Sequence, residues 1–295
     1  MNPDYPSILD QLGLGPPVSL AGVGGGCIAE AKIARFSDGS EVFVKTLAGQ
    51  RDLFLREAEG LQALAQARAI RVPEVLAVDA QALVLELIRS APRRPDYAET
   101  FGRNFARMHE FRGKACGFAH DNYIGATAQR NDPIGGSWGV AQDESGSDWT
   151  KFFIERRLRF QASLAAERGY GQELQLLLDR AQPRIEELLH SAIEAPSILH
   201  GDLWSGNAIV DDHGEACLID PAVYYGHREA DLAMTRLFGG FEPAFYNAYH
   251  ETLPLAPGHQ ERLPIYQLYH VMNHLNLFGG GYFDQARRIL RTYLA

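Results

Sequence analysis

The stretch His200-Gly201-Asp202-Leu203-Trp204-Ser205-Gly206-Asn207, followed downstream by Ile219-Asp220-Pro221, decides how this chain is read. Between the two pieces lie the apolar runs Ala208 to Val210 and Ala216 to Ile219, joined by the turn Asp211-Asp212-His213-Gly214. The centre of that turn falls near position 213.5, and Asn207 and Asp220 are equidistant from it. An antiparallel hairpin would therefore return Asp220 beside Asn207. Asp202 lies five residues before Asn207, across a glycine-containing loop. Three oxygen-bearing side chains then converge at the open end of one hairpin. Hard oxygen donors of this kind suit Mg²⁺, which keeps several waters and binds substrate phosphates.

A carboxylate that orients or deprotonates a hydroxyl, beside oxygen ligands for a metal on phosphates, is what phosphoryl transfer requires. The spacing of His200, Asp202 and Asn207 is that of the protein-kinase catalytic loop, with Gly201 where that loop has Arg. An isolated His-Gly-Asp reads equally well as a capped turn. The full set, with Asp220 at the far end of the hairpin, is much harder to explain that way. The chemistry expected is phosphoryl transfer from ATP, with Asp202 as base and Asn207 and Asp220 as Mg²⁺ ligands.

Upstream, the parts that would hold a nucleotide occur in a consistent order. Gly22-Val23-Gly24-Gly25-Gly26 lies between two strand-like runs, and Gly24, Gly25 and Gly26 would let backbone N–H groups approach phosphates closely. A plain hairpin turn is the competing reading. The cluster is not a Walker A loop, because Val44 precedes Lys45 and no Gly-Lys-Ser/Thr is present there; a strand rather than a helix follows, which also argues against a dinucleotide fingerprint. Val42 to Lys45 is a strand ending in a cation that can pair phosphates, and Glu57 on the next helix can hold it, with Glu59 a competing partner. A solvated edge lysine and a surface glutamate are the blander readings. Leu83 to Leu87 is an apolar strand entering a connector, where the backbone at Leu85, Glu86 and Leu87 can meet an adenine edge or simply be buried.

The 295 residues suggest about two domains or lobes. Order β-β-β-α-β-β is expected through residue 90: Val18 to Gly22, Cys27 to Phe36, Glu41 to Leu47, a helix from about Arg51 to Arg68, then Val75 to Val78 and Ala82 to Leu87. After a Pro-rich connector at Ala91 to Pro95, helices are expected near Tyr97 to Phe111, Trp149 to Glu167 and Gln172 to Leu189, with a mainly helical end. Residues Ala115 to Asp148 read as loop, the Gly/Ser-rich part from Pro133 being a lid candidate. The fold class is α+β and bilobal: residues 1–90 a small β-rich nucleotide-binding lobe, residues 91–295 a larger helical lobe with the catalytic loop and substrate site.

Composition excludes several classes. A net charge of −9 disfavours nucleic acid or an anionic membrane as partner. Cys27, Cys116 and Cys217 are odd in number and form no CxxC pair, which argues against zinc or a disulfide framework and fits a reducing compartment. The acidic N-terminus lacks a signal-peptide pattern, and no run approaches the length of a membrane span, so a soluble cytoplasmic protein is expected.

The chain resembles the fructosamine kinase (ketosamine-3-kinase) family, a branch of the protein-kinase-like fold near aminoglycoside phosphotransferases and choline kinases. The resemblance rests on Gly24-Gly25-Gly26-Cys27-Ile28, Phe43-Val44-Lys45, Asp121-Asn122-Tyr123-Ile124-Gly125, Leu199 to Asn207 with its Leu-Trp-Ser-Gly, and Asp220-Pro221-Ala222-Val223-Tyr224-Tyr225-Gly226. It continues through Asp231-Leu232-Ala233-Met234 and Tyr266 to His270. It implies ATP-dependent phosphorylation of the 3-hydroxyl of a fructosamine or ribulosamine, which promotes deglycation, and carries the roles above onto Asp202, Asn207, Asp220, Lys45, Glu57 and Leu85 to Leu87. An aminoglycoside- or choline-type kinase and a non-catalytic nucleotide-binding module are the alternatives. Pro133 to Asp148 is longer than the family pattern.

Further residues have assigned expectations. A monomer is expected, with Cys27 a small buried residue; family members with a cysteine at this position can be redox-sensitive through intermolecular disulfides, which makes a Cys27-linked dimer the alternative, and Cys116 and Cys217 read as packing. His270 and His274 have the spacing of a metal pair but lack the His-Glu motif, and fit the floor of a substrate cleft better. His200 and Asp231 should brace the Asp202 loop, and Trp204 faces either the sugar or the core.

Overall fold

The computed structural model describes residues 7–24, 29–47, 52–134 and 149–294. Its first part holds β1 (Ser19–Val23), β2 (Glu30–Arg35), β3 (Glu41–Thr46), α1 (Leu53–Gln66), β4 (Val75–Val78) and β5 (Ala82–Glu86). The strands form one antiparallel sheet in the order β1-β2-β3-β5-β4. Alternation decides what each side chain meets, because successive residues of a strand face opposite ways. Val42 and Val44 are buried with Ile8, Leu9 and Phe36. Phe43 packs instead with the cluster formed by Leu53, Phe54, Ala58 and Leu61 of α1 and Leu83 and Leu85 of β5. Lys45, two residues on, therefore projects to the α1 side.

The second part runs through α2 (Tyr97–His109), β6 (Asn122–Ile124), β7 (Thr127–Gln129), α3 (Trp149–Phe152), α4 (Phe160–Ala165), α5 (Glu173–His190), β8 (Ser197–Leu199), β9 (Ala208–Val210), β10 (Ala216–Leu218), β11 (Tyr224–Gly226), α6 (Glu229–Leu237), α7 (Pro243–Thr252), α8 (His259–Phe278) and α9 (Tyr282–Arg291). A single large apolar core joins these helices and takes in Ala63 and Leu64 from the far face of α1. Contacts are close enough to select glycine: a Cβ on Gly102 of α2 would lie 2.1 Å from the Phe245 carbonyl oxygen of α7. The bilobal α+β architecture is the expected one.

Two expectations need correction. Residues 115–148 are not all loop, because β6 and β7 pair antiparallel with Asn122 opposite Gln129. Strands of three residues are too short to show alternation, and three of their four buried side chains, Asn122, Thr127 and Gln129, are polar, Ile124 being the exception. The helix expected from Trp149 to Glu167 is interrupted by wider π turns at Phe153–Arg159 and Ala166–Tyr170. The first of these carries Arg157, fully buried, with its guanidinium 4.0 Å from the Tyr224 ring centre. Residues 135–148, most of the lid candidate, lie outside the described residues.

The lobes are tied beside the connector. Arg71 bonds Glu86 at the end of β5 (2.6 Å), Asp211 (3.2 Å) and Asp212 in the β9–β10 turn. Its carbonyl accepts the Leu218 amide at 2.9 Å. No pattern in the sequence singled out this arginine.

Candidate active site

The His200–Asn207 loop leaves β8 and is held from beneath. Asp231, in the first turn of α6 and 1% exposed, accepts the His200 amide at 2.7 Å and the Gly201 amide at 2.8 Å. His109 of α2 meets the same carboxylate at 3.2 Å. Burial alone would raise the Asp231 carboxyl; hydrogen bonding and charge from His109, with His200 and the Gly201 amide, bring it below its ordinary value. The His200 ring bridges the loop. Its Nδ1 accepts the Asp202 amide at 3.3 Å, and Nε2 donates to the Ile219 carbonyl at 3.0 Å. Burial lowers the His200 pKa, consistent with this neutral tautomer. The expected bracing roles of His200 and Asp231 are both present in this geometry.

Gly201 explains why the loop departs from His-Arg-Asp. Its φ is +81°, and a Cβ there would lie 2.0 Å from the Ala222 carbonyl oxygen. The two chain segments also exchange a hydrogen bond from the Ala222 amide to the His200 carbonyl at 2.8 Å. A short 3-10 turn at Ser205–Asn207 then aims Asn207 back, and its Nδ2 donates to the Asp202 carbonyl at 2.9 Å.

The hairpin register differs from the expected one by one residue. β9 and β10 pair Val210 with Ala216, Ile209 with Cys217 and Ala208 with Leu218. Ile219, not Asp220, stands opposite Asn207, and its amide donates to the Asn207 carbonyl at 3.1 Å. The connection is a three-residue loop closed by Gly214 at φ +74°, which shifts the centre to His213. Asp220 is the next residue out, in the left-handed region at φ +53°. Asp and Asn tolerate that region better than most residues.

Asp220 reaches Lys45. The Lys45 ammonium lies 2.5 Å from Glu57 Oε1 and also pairs with Asp220 Oδ1. Burial works against the ammonium, but the charges of Glu57 and then Asp220 outweigh it and hold its pKa above the ordinary value. Glu57 is thus the glutamate beside Lys45, while Glu59 pairs with Arg56 (2.8 Å) and His120 (3.2 Å). Asp202 sits across the site. Burial raises its carboxyl well above the ordinary range, and the charges of Asp220 and Asp231 add to that. A carboxyl of raised pKa is suited to taking a proton.

One carboxylate, on Asp220, and one amide oxygen, on Asn207, could hold a divalent ion here. Asn207 uses its Nδ2 within the loop, leaving Oδ1 as donor, and the Asp220 side chain is 48% exposed. Among the described residues no cluster of three or more His, Cys, Asp or Glu is arranged around a metal position. A carboxylate and an amide oxygen suit an ion that takes the rest of its shell from water and phosphate, as Mg²⁺ does.

The remaining expected residues divide. Gly24 follows β1 and has open space where a Cβ would be, while Gly25, Gly26 and Cys27 lie outside the described residues. Leu85 is buried inside the ladder between β3 and β4; the Glu86 amide donates to the Glu74 carbonyl at 2.9 Å and its side chain holds Arg71. Leu87 lies just past the end of β5. Cys116 and Cys217 are both buried. His270 is buried, and His274 Nδ1 bonds the His270 carbonyl at 2.8 Å, so the two rings do not form a metal pair. Trp204 is 39% exposed, with its indole over Gly206 and edge-on to Phe238 at 6.3 Å.

A bilobal fold, a lysine–glutamate pair on the sheet side and an aspartate loop facing them define a phosphotransferase of the protein-kinase-like class. The fructosamine kinase family model matches residues 16–295, and the chain belongs to that family. A "Probable ketoamine kinase" of Synechocystis is 40% identical over 280 residues, covering 92% of this chain and 89% of that protein. The chloroplastic protein-ribulosamine 3-kinase of Arabidopsis thaliana is 38% identical over 288 residues, covering 93% and 82% respectively. The crystal structure of a candidate fructosamine-3-kinase from Thermobifida fusca superposes with a TM-score of 0.84 at 32% identity, covering 98% of both chains.

Proposed function

We propose that this enzyme transfers the γ-phosphoryl group of ATP to the 3-hydroxyl of a ketosamine, a fructosamine or ribulosamine. The observation that carries this is the meeting of Asp202, Asn207 and the Lys45–Glu57–Asp220 cluster at one place, in a chain of the fructosamine kinase family. Asp202 accepts the proton of the attacking hydroxyl. The O3–P bond forms as the bond to the ADP oxygen breaks. Lys45, kept charged by Glu57, pairs with the phosphates, and Gly24 to Gly26 bring backbone N–H groups over them. Asn207 and Asp220 would hold Mg²⁺, which when bound neutralises charge on the phosphates. The backbone around Leu85, Glu86 and Leu87 meets the adenine edge; because Leu85 lies inside the ladder, the outer part near Leu87 has the greater share. The division at residues 90 and 91 separates nucleotide binding from catalysis and acceptor binding.

The acceptor enters beside Trp204, whose exposed indole stands two residues from Asp202 and continues through Phe238 to His274, 4.8 Å further between ring centres. A phosphate at C-3 is a better leaving group than a hydroxide, so the product decomposes and releases the amine. No helix among the described residues is long and apolar enough to cross a membrane. The reading has the enzyme act as a cytoplasmic monomer, with the Cys27-linked dimer as its alternative. ATP consumption measured side by side with fructosyl-lysine, ribulosyl-lysine, choline and an aminoglycoside tests it. Turnover confined to one or both ketosamines is expected; turnover of choline or the aminoglycoside alone would overturn it.

A further inference from the structure

The β6–β7 hairpin touches both halves of the proposed machinery without belonging to either. On one side its buried amides grip the segment that follows Asp220. Asn122 Nδ2 donates to the Val223 carbonyl at 2.8 Å, and Gln129 Nε2 donates to the Ala222 carbonyl at 3.0 Å. Gln129 Nε2 also donates to Asn122 Oδ1 at 2.8 Å, and its own Oε1 accepts the Tyr269 hydroxyl at 2.7 Å. Asn131 Nδ2 adds a second donor to Asn122 Oδ1 at 2.8 Å. With three of its four hydrogen-bonding positions used, the Gln129 amide has one orientation.

On the other side the hairpin holds α1, which carries Glu57. The Tyr123 hydroxyl donates to Asp52 Oδ1 at 2.5 Å, and its ring packs with the Phe54 and Ala58 cluster. Asp52 is the N-cap residue of α1, yet its side chain makes no capping bond to its own helix. Aspartate at that position ordinarily satisfies a first-turn amide. Here it is given to the hairpin instead. α1 meets the Asp220 segment directly as well: a Cβ on Gly60 would lie 3.2 Å from Val223 Cγ2.

We propose that Asn122, Gln129 and Tyr123 are positioning residues that set the distance between the Lys45–Glu57 pair and Asp220, by tying α1 to the Ala222–Val223 backbone through the hairpin. This rests on the phosphate and metal roles proposed above. Tyr123 stays protonated as the donor across the working pH range, since the hydrogen bond to Asp52 and then burial push its pKa up to about 12.

The test uses the full chain with Tyr123→Phe, Asp52→Ala, Asp52→Asn and the Tyr123→Phe/Asp52→Ala double variant, plus Gln129→Met. ATP binding is measured by calorimetry with and without Mg²⁺, alongside kcat, ketosamine KM and Tm. Loss of one hydrogen bond of ordinary net strength corresponds to about a two- to tenfold effect. Tyr123→Phe should lower kcat by that factor and weaken Mg²⁺-dependent ATP binding equally. Metal-free ATP binding, ketosamine KM and Tm should stay close to parental values. Asp52→Ala should match it, Asp52→Asn should stay near the parent, and the double variant should lose no more than either single one. Parental kcat and Mg²⁺ dependence in Tyr123→Phe would overturn the proposal. So would additive losses, or an equal fall in metal-free binding and Tm, which mark a contact of structure only. Gln129→Met is read by the same two binding measurements, and Tyr123→Phe decides if it does not fold. If the parent turns over no ketosamine, the functional reading fails, while the Mg²⁺-dependent binding comparison still tests the tie.

Discussion

Glu57→Gln keeps the shape of the side chain and removes its charge. Lys45 and Glu57 are each only 13% exposed and lie 2.5 Å apart, so their contact is a shielded, charge-assisted hydrogen bond. Such bonds contribute about 1.5–3 kcal/mol net, against about 0.5–1.5 kcal/mol for a neutral one. The amide oxygen of Gln keeps the neutral part, leaving a stability loss of about 1–2 kcal/mol. Catalysis suffers in a second way. Lys45 already pairs with Asp220, and without the Glu57 charge that carboxylate holds it alone. The ammonium then shifts toward Asp220 and competes with the metal proposed there. At about 1.4 kcal/mol per tenfold, a loss of about 1–2 kcal/mol corresponds to about five- to thirtyfold in kcat/KM, with a higher Mg²⁺ midpoint. Chemical denaturation reads the first effect, and a coupled ADP-release assay titrated with Mg²⁺ reads the second. Glu59→Gln, which removes only the contacts to Arg56 and His120, should stay within about twofold of the parent. Parental kcat/KM and Mg²⁺ dependence in Glu57→Gln, or an equal loss in Glu59→Gln, would refute the reasoning.

Gly201→Ala should abolish activity and cost more than about 3 kcal/mol, because both the φ of +81° and the 2.0 Å approach of the Ala222 carbonyl oppose a Cβ; expression yield and thermal denaturation check it. Asp231→Ala leaves the buried His200 and Gly201 amides without their acceptor and should cost about 2–5 kcal/mol, measurable by denaturant titration. The histidines give a pH dependence. Burial lowers the pKa of His109, His200, His227 and His270 from 6.5, His270 to about 3. The unfolded chain thus binds protons that the folded chain excludes, so stability is fully present above about pH 6.5 and falls below it. Tm should drop between pH 7 and pH 5 at low and high salt alike; a flat profile would contradict the burial assigned to these rings.

The strands and the main helix of the first lobe were legible because each is long enough to show its period. Val42, Phe43, Val44 and Lys45 alternate across the sheet, and Phe54, Ala58 and Leu61 repeat along one face of α1. The loop from His200 to Asn207 stood out as a candidate site because its residue types and spacing have few other uses. What escaped were features set by chain crossings rather than by local pattern. β6 and β7 are three residues each and point amides at carbonyls about a hundred positions away. The β9–β10 register depended on whether the turn has two residues or three, which Gly214 in the left-handed region decides. Arg71 reads as an ordinary surface arginine until Glu86, Asp211 and Asp212 are brought around it. The pairing of Lys45 with Asp220 likewise joins residues from the two lobes.

Incubation of the parent enzyme with ATP, Mg²⁺ and a synthetic fructosamine or ribulosamine, followed by phosphorus NMR, tests the central claim most directly when run beside Asp202→Asn. A phosphate ester at O3 is expected, with release of the amine on standing. In Asp202→Asn, nucleotide binding should persist while the rate falls by about 10²- to 10⁴-fold, the usual cost of losing a general base. A phosphate on another oxygen, or an undiminished rate in Asp202→Asn, would contradict the account.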